Sequence, residues 1–172
     1  MKKIRKSYQK TAVFIDAANI ELSAKDKNWR VDYRKLYKWL KQSNTIIFCG
    51  FFTVRFNTPK HDAFLTVLKK SGYHLVTKPL KLIRGNKTTG HIRKANFDVE
   101  ITVEAMRRVE SFEKMILFSG DSDFDYLLKE LKKQRKTTVV ISMKHHIAKE
   151  LVKTAHDYID LRKIRNIIER RK

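Results

Sequence analysis

Apolar and polar positions along this chain follow two rhythms. Short continuous apolar runs predict buried strands: TAVFI at 11–15, TIIFCGFFTV at 45–54, YHLVTK at 73–78, KMILFSG at 114–120 and TTVVISM at 137–143, with YIDL at 158–161 a last short one. Between them the apolar residues recur at helical spacing. DYRKLYKWLKQ at 32–42 puts Leu36, Trp39 and Leu40 on one side, behind Asp32 as cap. KHDAFLTVLKKSG at 60–72 turns Phe64, Leu65 and Leu68 inward and ends at Gly72. Further helices are predicted over 96–110, 122–134 and 147–155, and a basic tail helix over 162–172. Residues 78–95 read as one long basic connection.

Strands that are apolar throughout and alternate with helices indicate an α/β fold: three layers, α/β/α, around a mostly parallel central sheet. The chain divides into a basic N-terminal extension (1–10), a single domain (11–161) and the tail (162–172). In such folds ligands bind beyond the carboxyl ends of the strands, where strand order reverses. Asp16 and Asn19 follow the first strand, and Asp121 and Asp123 follow the fourth. If these strands are neighbours at the switch point, the carboxylates meet.

Charge sharpens this picture. The 172 residues hold 39 Lys and Arg against 18 Asp and Glu, a net charge of +21. That is far more than the roughly 2 to 8 charges solubility needs, so an anionic partner is expected, nucleic acid first. The single cysteine, Cys49, cannot pair within the chain, which suits a reducing, cytoplasmic setting. The basic start is followed by an apolar run too short for a signal-peptide core, and no run is long enough to span a membrane.

Against that background the stretch LFSGDSDFDYL places three aspartates within five positions. Asp125 lies in the first turn of its helix, where the dipole accounts for it. Capping alone is an alternative explanation of Asp121 and Asp123. Asp98 is more informative. At about 100° per residue it points from the middle of an apolar arc of Phe97, Ile101, Ala105, Val109, Met106, Val99 and Val103. A carboxylate so placed must be paired, capping or bound to metal. Asp16, Asp98, Asp121 and Asp123 gathered together would repel one another unless a cation compensates. Hard oxygen ligands select Mg²⁺ or Mn²⁺, and the chemistry implied is metal-assisted phosphodiester hydrolysis.

VFIDAANI, KANFDVEITVEAM and LFSGDSDFDYLLKEL, in that order, resemble the NYN domain family of PIN-like nucleases, in its bacterial branch. The resemblance implies a PIN-like, Rossmann-like sheet and a divalent-metal-dependent ribonuclease site. Asp16, Asn19, Asp98, Asp121 and Asp123 match its motifs, with Ser119 and Ser122 in support. Two positions depart from it: Ala95 replaces a frequent Gly, and Glu104 replaces a frequent Asp. Glu104 falls on the polar face of its helix and reads as supporting or merely solvated.

Other chemistries find little footing. No phosphate-binding G-x-x-x-x-G-K-[ST] loop is present, and the six histidines make no zinc spacing. His145 and His146 are adjacent and read as surface or phosphate-contact residues rather than ligands. Residues 78–94 hold Lys78, Lys81, Arg84, Lys87, Arg93 and Lys94 without one acid, which suits a phosphate-contacting path for RNA, with DNA also possible. In GFFTVRF, Phe51 and Phe52 read as core, and Arg55 with Phe56 as a contact for nucleic acid. The competing expectation is a non-catalytic nucleic-acid-binding module with a degenerate metal site. Replacing Lys81, Arg84 and Lys87 together should flatten the plot of log K for RNA against log salt by about two to three units. Filter binding across a salt series checks this, and an unchanged slope would place the path elsewhere.

Overall fold

Six parallel strands form the central sheet, in the order β3-β2-β1-β6-β7-β8. They are β1 (Lys10–Asp16), β2 (Thr45–Arg55), β3 (His74–Pro79), β6 (Lys114–Phe118), β7 (Thr137–Ser142) and β8 (Asp157–Asp160). The computed structural model describes residues 9–79, 81–84, 91–94 and 96–170. The expected N-terminal extension therefore lies outside the described residues, apart from Gln9 and Lys10.

Side-chain alternation along the strands builds two cores. Val13 and Ile15 of β1, Cys49 and Phe51 of β2, Ile116 and Phe118 of β6, and Val139 and Ile141 of β7 face one side. There they meet α1 (Ala17–Lys25), α2 (Tyr33–Gln42) and α3 (Pro59–Lys70). Ala12, Phe14, Phe52, Met115, Leu117 and Val140 face the other side. They are covered by α4 (Asp98–Arg107), α5 (Asp125–Lys133) and α6 (Lys149–Thr154). A sheet buried on both faces is why the strand sequences read as unbroken apolar runs.

The caps follow the sequence. Asp32 accepts from the Arg34 and Lys35 N–H groups at 3.0 and 3.2 Å, opening α2. Gly72 follows α3 at φ +104°, a backbone conformation that favours glycine. Three elements differ from expectation. Helix α1 is not announced by the pattern, because Ser23 is buried while Leu22 is 62% exposed. The basic connection contains an antiparallel pair, β4 (Lys81–Arg84) and β5 (His91–Lys94), with Ile83 opposite Ile92. Its lone apolar positions among cations give too short an alternation to read as strands.

The third difference is the tail. In place of a helix over 162–172, the chain makes a 3-10 turn (Leu161–Ile164) and one helical turn, α7 (Arg165–Ile168). Ile164 and Ile168 enter the core against α2. The Asp32 N–H donates to the Ile168 carbonyl at 2.7 Å, Lys35 Nζ donates to the Glu169 carbonyl at 2.9 Å, and Val31 bridges Glu169. Burying two isoleucines outweighs the helical propensity of the charged residues around them. Ile168→Ala should therefore cost about 2–5 kcal/mol in urea unfolding, while Ile167→Ala, at a half-exposed neighbour, should stay within about 0.5 kcal/mol.

Candidate metal centre

The strand-order reversal lies between β1 and β6, which pair directly through Thr11–Ile15 and Lys114–Phe118. The residues after both strands therefore share one edge, as the sequence predicts. Asp16 ends β1 and caps α1, its carboxylate accepting from the Asn19 N–H at 3.4 Å. Across the gap the fully buried Ser119 donates its hydroxyl to Asp16 Oδ2 at 3.4 Å and accepts from the Asp121 N–H at 3.3 Å. Asn19 Oδ1 accepts from the Gly120 N–H at 3.1 Å. Asp121 in turn accepts from the Asp123 N–H at 3.1 Å, turning the chain into a 3-10 turn, Ser122–Phe124, ahead of α5.

Gly120 is required by close approach. A Cβ there would lie 1.8 Å from the His146 carbonyl oxygen and 2.8 Å from Ser142 Oγ. The Gly120 carbonyl also accepts from the Ala148 N–H at 2.9 Å, so the loop after β7 rests directly on the loop after β6.

Asp98, Asp121 and Asp123 each bring an oxygen within 4.8 Å of the others. Asp16 is outside this trio but is close enough for its charge to act on Asp98. Partial burial, then the charges of Asp121, Asp16 and Asp123, push the Asp98 carboxyl up to about 6. Burial likewise raises Asp16, with Asp121 adding to it and the Asn19 N–H and Ser119 hydroxyl opposing. The donor set fits a hard divalent cation: oxygen ligands only, gathered against their own repulsion.

Several carboxylates elsewhere on the chain are paired with a cation. Asp125 is held by Lys129 at 2.6 Å, Asp160 by Arg162 at 2.6 Å, Glu169 by Arg165 at 2.8 Å and Glu100 by Lys78 at 2.7 Å. Glu104, expected as supporting or solvated, is clasped by Arg108 and by Arg107 at 3.2 Å. Among the described residues, none of Asp16, Asp98, Asp121 and Asp123 has a cationic partner within 4.0 Å.

The helix wheel needs one correction. The buried side of α4 is Phe97, Ile101, Ala105 and Val109, whereas Val99 and Val103 are 70% and 41% exposed. Asp98 therefore stands at the margin of the buried face, at the helix start, where it turns toward the β6 loop. Asn96 was not anticipated: its side-chain amide donates to Asp98 Oδ2. Its place two residues ahead, at a polar position just before the helix, was the available signal. Ser122 is exposed, and no hydrogen bond ties its side chain to the cluster among the described residues.

Of the residues expected to meet nucleic acid, Lys87 lies outside the described residues. Lys81, Arg84, Arg93 and Lys94 lie on β4 and β5. Arg55 ends β2 and pairs with Asp62 at 3.0 Å, both half-exposed, a contact of little net strength. His145 and His146 are exposed, as expected, and His146 Nε2 lies 3.4 Å from Asp26.

A doubly wound parallel sheet with carboxylates gathered at its switch point suits a metal-binding α/β protein, and the family match puts it in the PIN-like nuclease superfamily. The chain belongs to the NYN domain family, whose model matches residues 10–162. It is 30% identical, over 92% of its own length and 87% of the relative's, to the low amplitude and bright protein LabA of Synechococcus elongatus. Its fold matches a crystal structure of a protein of unknown function from Vibrio parahaemolyticus, with TM-score 0.78 and 21% identity over 94% of this chain and 96% of that one. Among the described residues no helix is long and apolar enough to cross a membrane.

The raised Asp98 carboxyl gives a pH test. Between its ordinary value of 3.8 and about 6, the folded metal-free protein keeps a proton that the unfolded chain has released. The stability this confers is full below 3.8 and lost as pH rises through 6. In EDTA at pH 7.5, Asp98→Asn should melt above wild type, and the gap should close as pH falls toward 4. Saturating Mn²⁺ should reverse the order by stabilising wild type more. Thermal melts of both proteins check this; a variant less stable in EDTA at pH 7.5 would make Asp98 a structural cap.

Proposed function

We propose that this chain is a metal-dependent endoribonuclease that hydrolyses RNA phosphodiester bonds at the Asp98–Asp121–Asp123 cluster. The observation that carries the reading is the trio of carboxylates within 4.8 Å, without cationic partners among the described residues, on a chain of net charge +21. A protein that only bound polyanions would gain nothing from concentrating negative charge at its ligand edge.

Asp98, Asp121 and Asp123 would hold Mg²⁺ or Mn²⁺, with Asp16 beside them. When bound, such a cation supplies positive charge to the phosphate and lowers the pKa of water. The chain's own residues do the rest. Asp16 fixes the Ser119 hydroxyl, and Ser119 receives the Asp121 N–H, so the Asp121 carboxylate is held by a relay from the neighbouring strand. Asn19 pins Gly120 and keeps the loop against β1. The β4–β5 hairpin leaves the end of β3 and returns to the start of α4, so its cations flank the cluster along the chain. Lys81, Arg84, Lys87, Arg93 and Lys94 would bring the RNA backbone there, with Arg55 exchanging Asp62 for phosphate. The lone Cys49 is buried, and burial pushes its thiol far up, so it stays an inert core residue in a cytoplasmic enzyme.

Asp121→Asn separates cleavage from binding. Losing one carboxylate from the cluster should slow RNA cleavage by orders of magnitude. RNA affinity in EDTA should hold level or rise slightly, because the edge becomes less negative. Cleavage assays and filter binding on one preparation measure both. Wild-type turnover by Asp121→Asn in Mn²⁺, with contaminating nuclease excluded, would leave a nucleic-acid-binding module as the better reading.

A further inference from the structure

Ten phenylalanines occur in the chain, and Phe56 is the one left exposed, at 46%. It stands just past the carboxyl end of β2, on the same edge of the sheet as the acidic cluster. Arg55, Phe56, Asn57 and Thr58 from the β2–α3 turn face Thr77, Lys78 and Pro79 at the end of β3 across a cleft of about 410 Å³. Among the described residues the aromatic neighbour of Phe56 is His61, set nearly perpendicular at 84° with ring centres 5.1 Å apart. No ring is stacked parallel on Phe56 there.

The cleft and the cluster share the carboxyl edge of the sheet. Lys78, which lines the cleft, has its Nζ 2.7 Å from Glu100 and 4.5 Å over the Phe97 ring, and Phe97 directly precedes Asp98. A chain whose scissile phosphate lay at the carboxylates would pass the wall that Lys78 forms and enter this cleft with a neighbouring nucleotide.

We infer that the cleft is a base-stacking subsite for an unpaired nucleotide of RNA flanking the cut. The inference rests on the nuclease reading above and adds a substrate feature to it. Phe56 presents an aromatic surface to the base. Arg55, held among the described residues by a half-exposed pair with Asp62, is released to a phosphate. Threonine hydroxyls and the Asn57 amide complete a polar rim. A base inside a duplex is already stacked on both faces and cannot enter, so the subsite acts on unpaired strands alone.

The test compares wild type, Phe56→Ala and Phe56→Trp by fluorescence anisotropy in EDTA, on one labelled single-stranded RNA and one labelled RNA duplex of equal length. Circular dichroism confirms the fold of each variant. Phe56→Ala should weaken single-strand binding about 5- to 150-fold, the range expected for loss of one base–aromatic stack. Phe56→Trp should stay within about twofold of wild type, and the duplex affinities of all three proteins should agree within about twofold. Unchanged single-strand binding by Phe56→Ala, an equal loss on the duplex, or no measurable wild-type affinity for the single strand would overturn the subsite. The nuclease reading fails separately: wild type that binds in this pattern but does not cleave in Mn²⁺ keeps the subsite and loses the catalysis.

Discussion

The parallel pairing of β1 with β6 is the constraint on which the rest depends. Each strand leads at its carboxyl end into a polar residue of the site, and only lateral contact between the two brings Asp16 and Ser119 within reach of each other. The pairing is made by Val13, Phe14, Ile15, Ile116, Leu117 and Phe118, all inside the two cores. Because the packing is close on both faces, the strands cannot slip by one residue without moving each side chain from one core to the other. The carboxylate positions are thus set by hydrophobic registration, and hydrogen bonds only trim them. Gly120 shows how tight the fit is, since the His146 carbonyl occupies the space a side chain would need.

Charge works against that frame. Like charges at close range oppose folding: after partial burial, the charges of Asp121, Asp16 and Asp123 help to push the Asp98 carboxyl up to about 6. The chain has cations in abundance, and elsewhere it uses them: Lys129, Arg108, Arg162 and Arg165 each neutralise a nearby acid. No such partner reaches the cluster among the described residues. An internal lysine or arginine would relieve the repulsion and also fill the place of an exchangeable cation. The local instability is tolerable because it sits at the rim of a sheet whose stability comes from apolar burial far from the edge.

Much of this was legible in the pattern. Apolar runs gave the six strands of the sheet, and their alternation with helices gave the parallel architecture, because a doubly covered strand has no polar face to confuse the reading. The spacing of Asp16 from Asp121 became meaningful only through the sheet order. What was hidden depends on geometry without a period. Helix α1 is short and buries a serine while exposing Leu22. The tail reads as a charged helix, yet two isoleucines commit it to the core. The wheel for α4 counted Val99 and Val103 as core, because apolar type alone does not say which side a neighbouring element covers. Asn96 gave no signal apart from lying beside Asp98.

The separation of affinity from chemistry follows from the same layout. The cations expected to draw in a polyanion are concentrated in one excursion of the chain, the β4–β5 hairpin, while the carboxylates belong to the ends of β1 and β6 and the start of α4. Attraction to a phosphate backbone is long-ranged and weakens with salt. Coordination by three carboxylates is short-ranged and depends on positions held to a few tenths of an ångström by the cores. On the proposed reading, a change in the hairpin would alter how often a polyanion arrives, and a change beneath Gly120 or Ser119 would alter what happens once it has arrived. Lys78 lies where the two parts join, its ammonium committed to Glu100 and Phe97 at the start of α4. It links the end of β3 to the helix that carries Asp98, so the strand that launches the basic hairpin also helps to hold the acidic cluster in place.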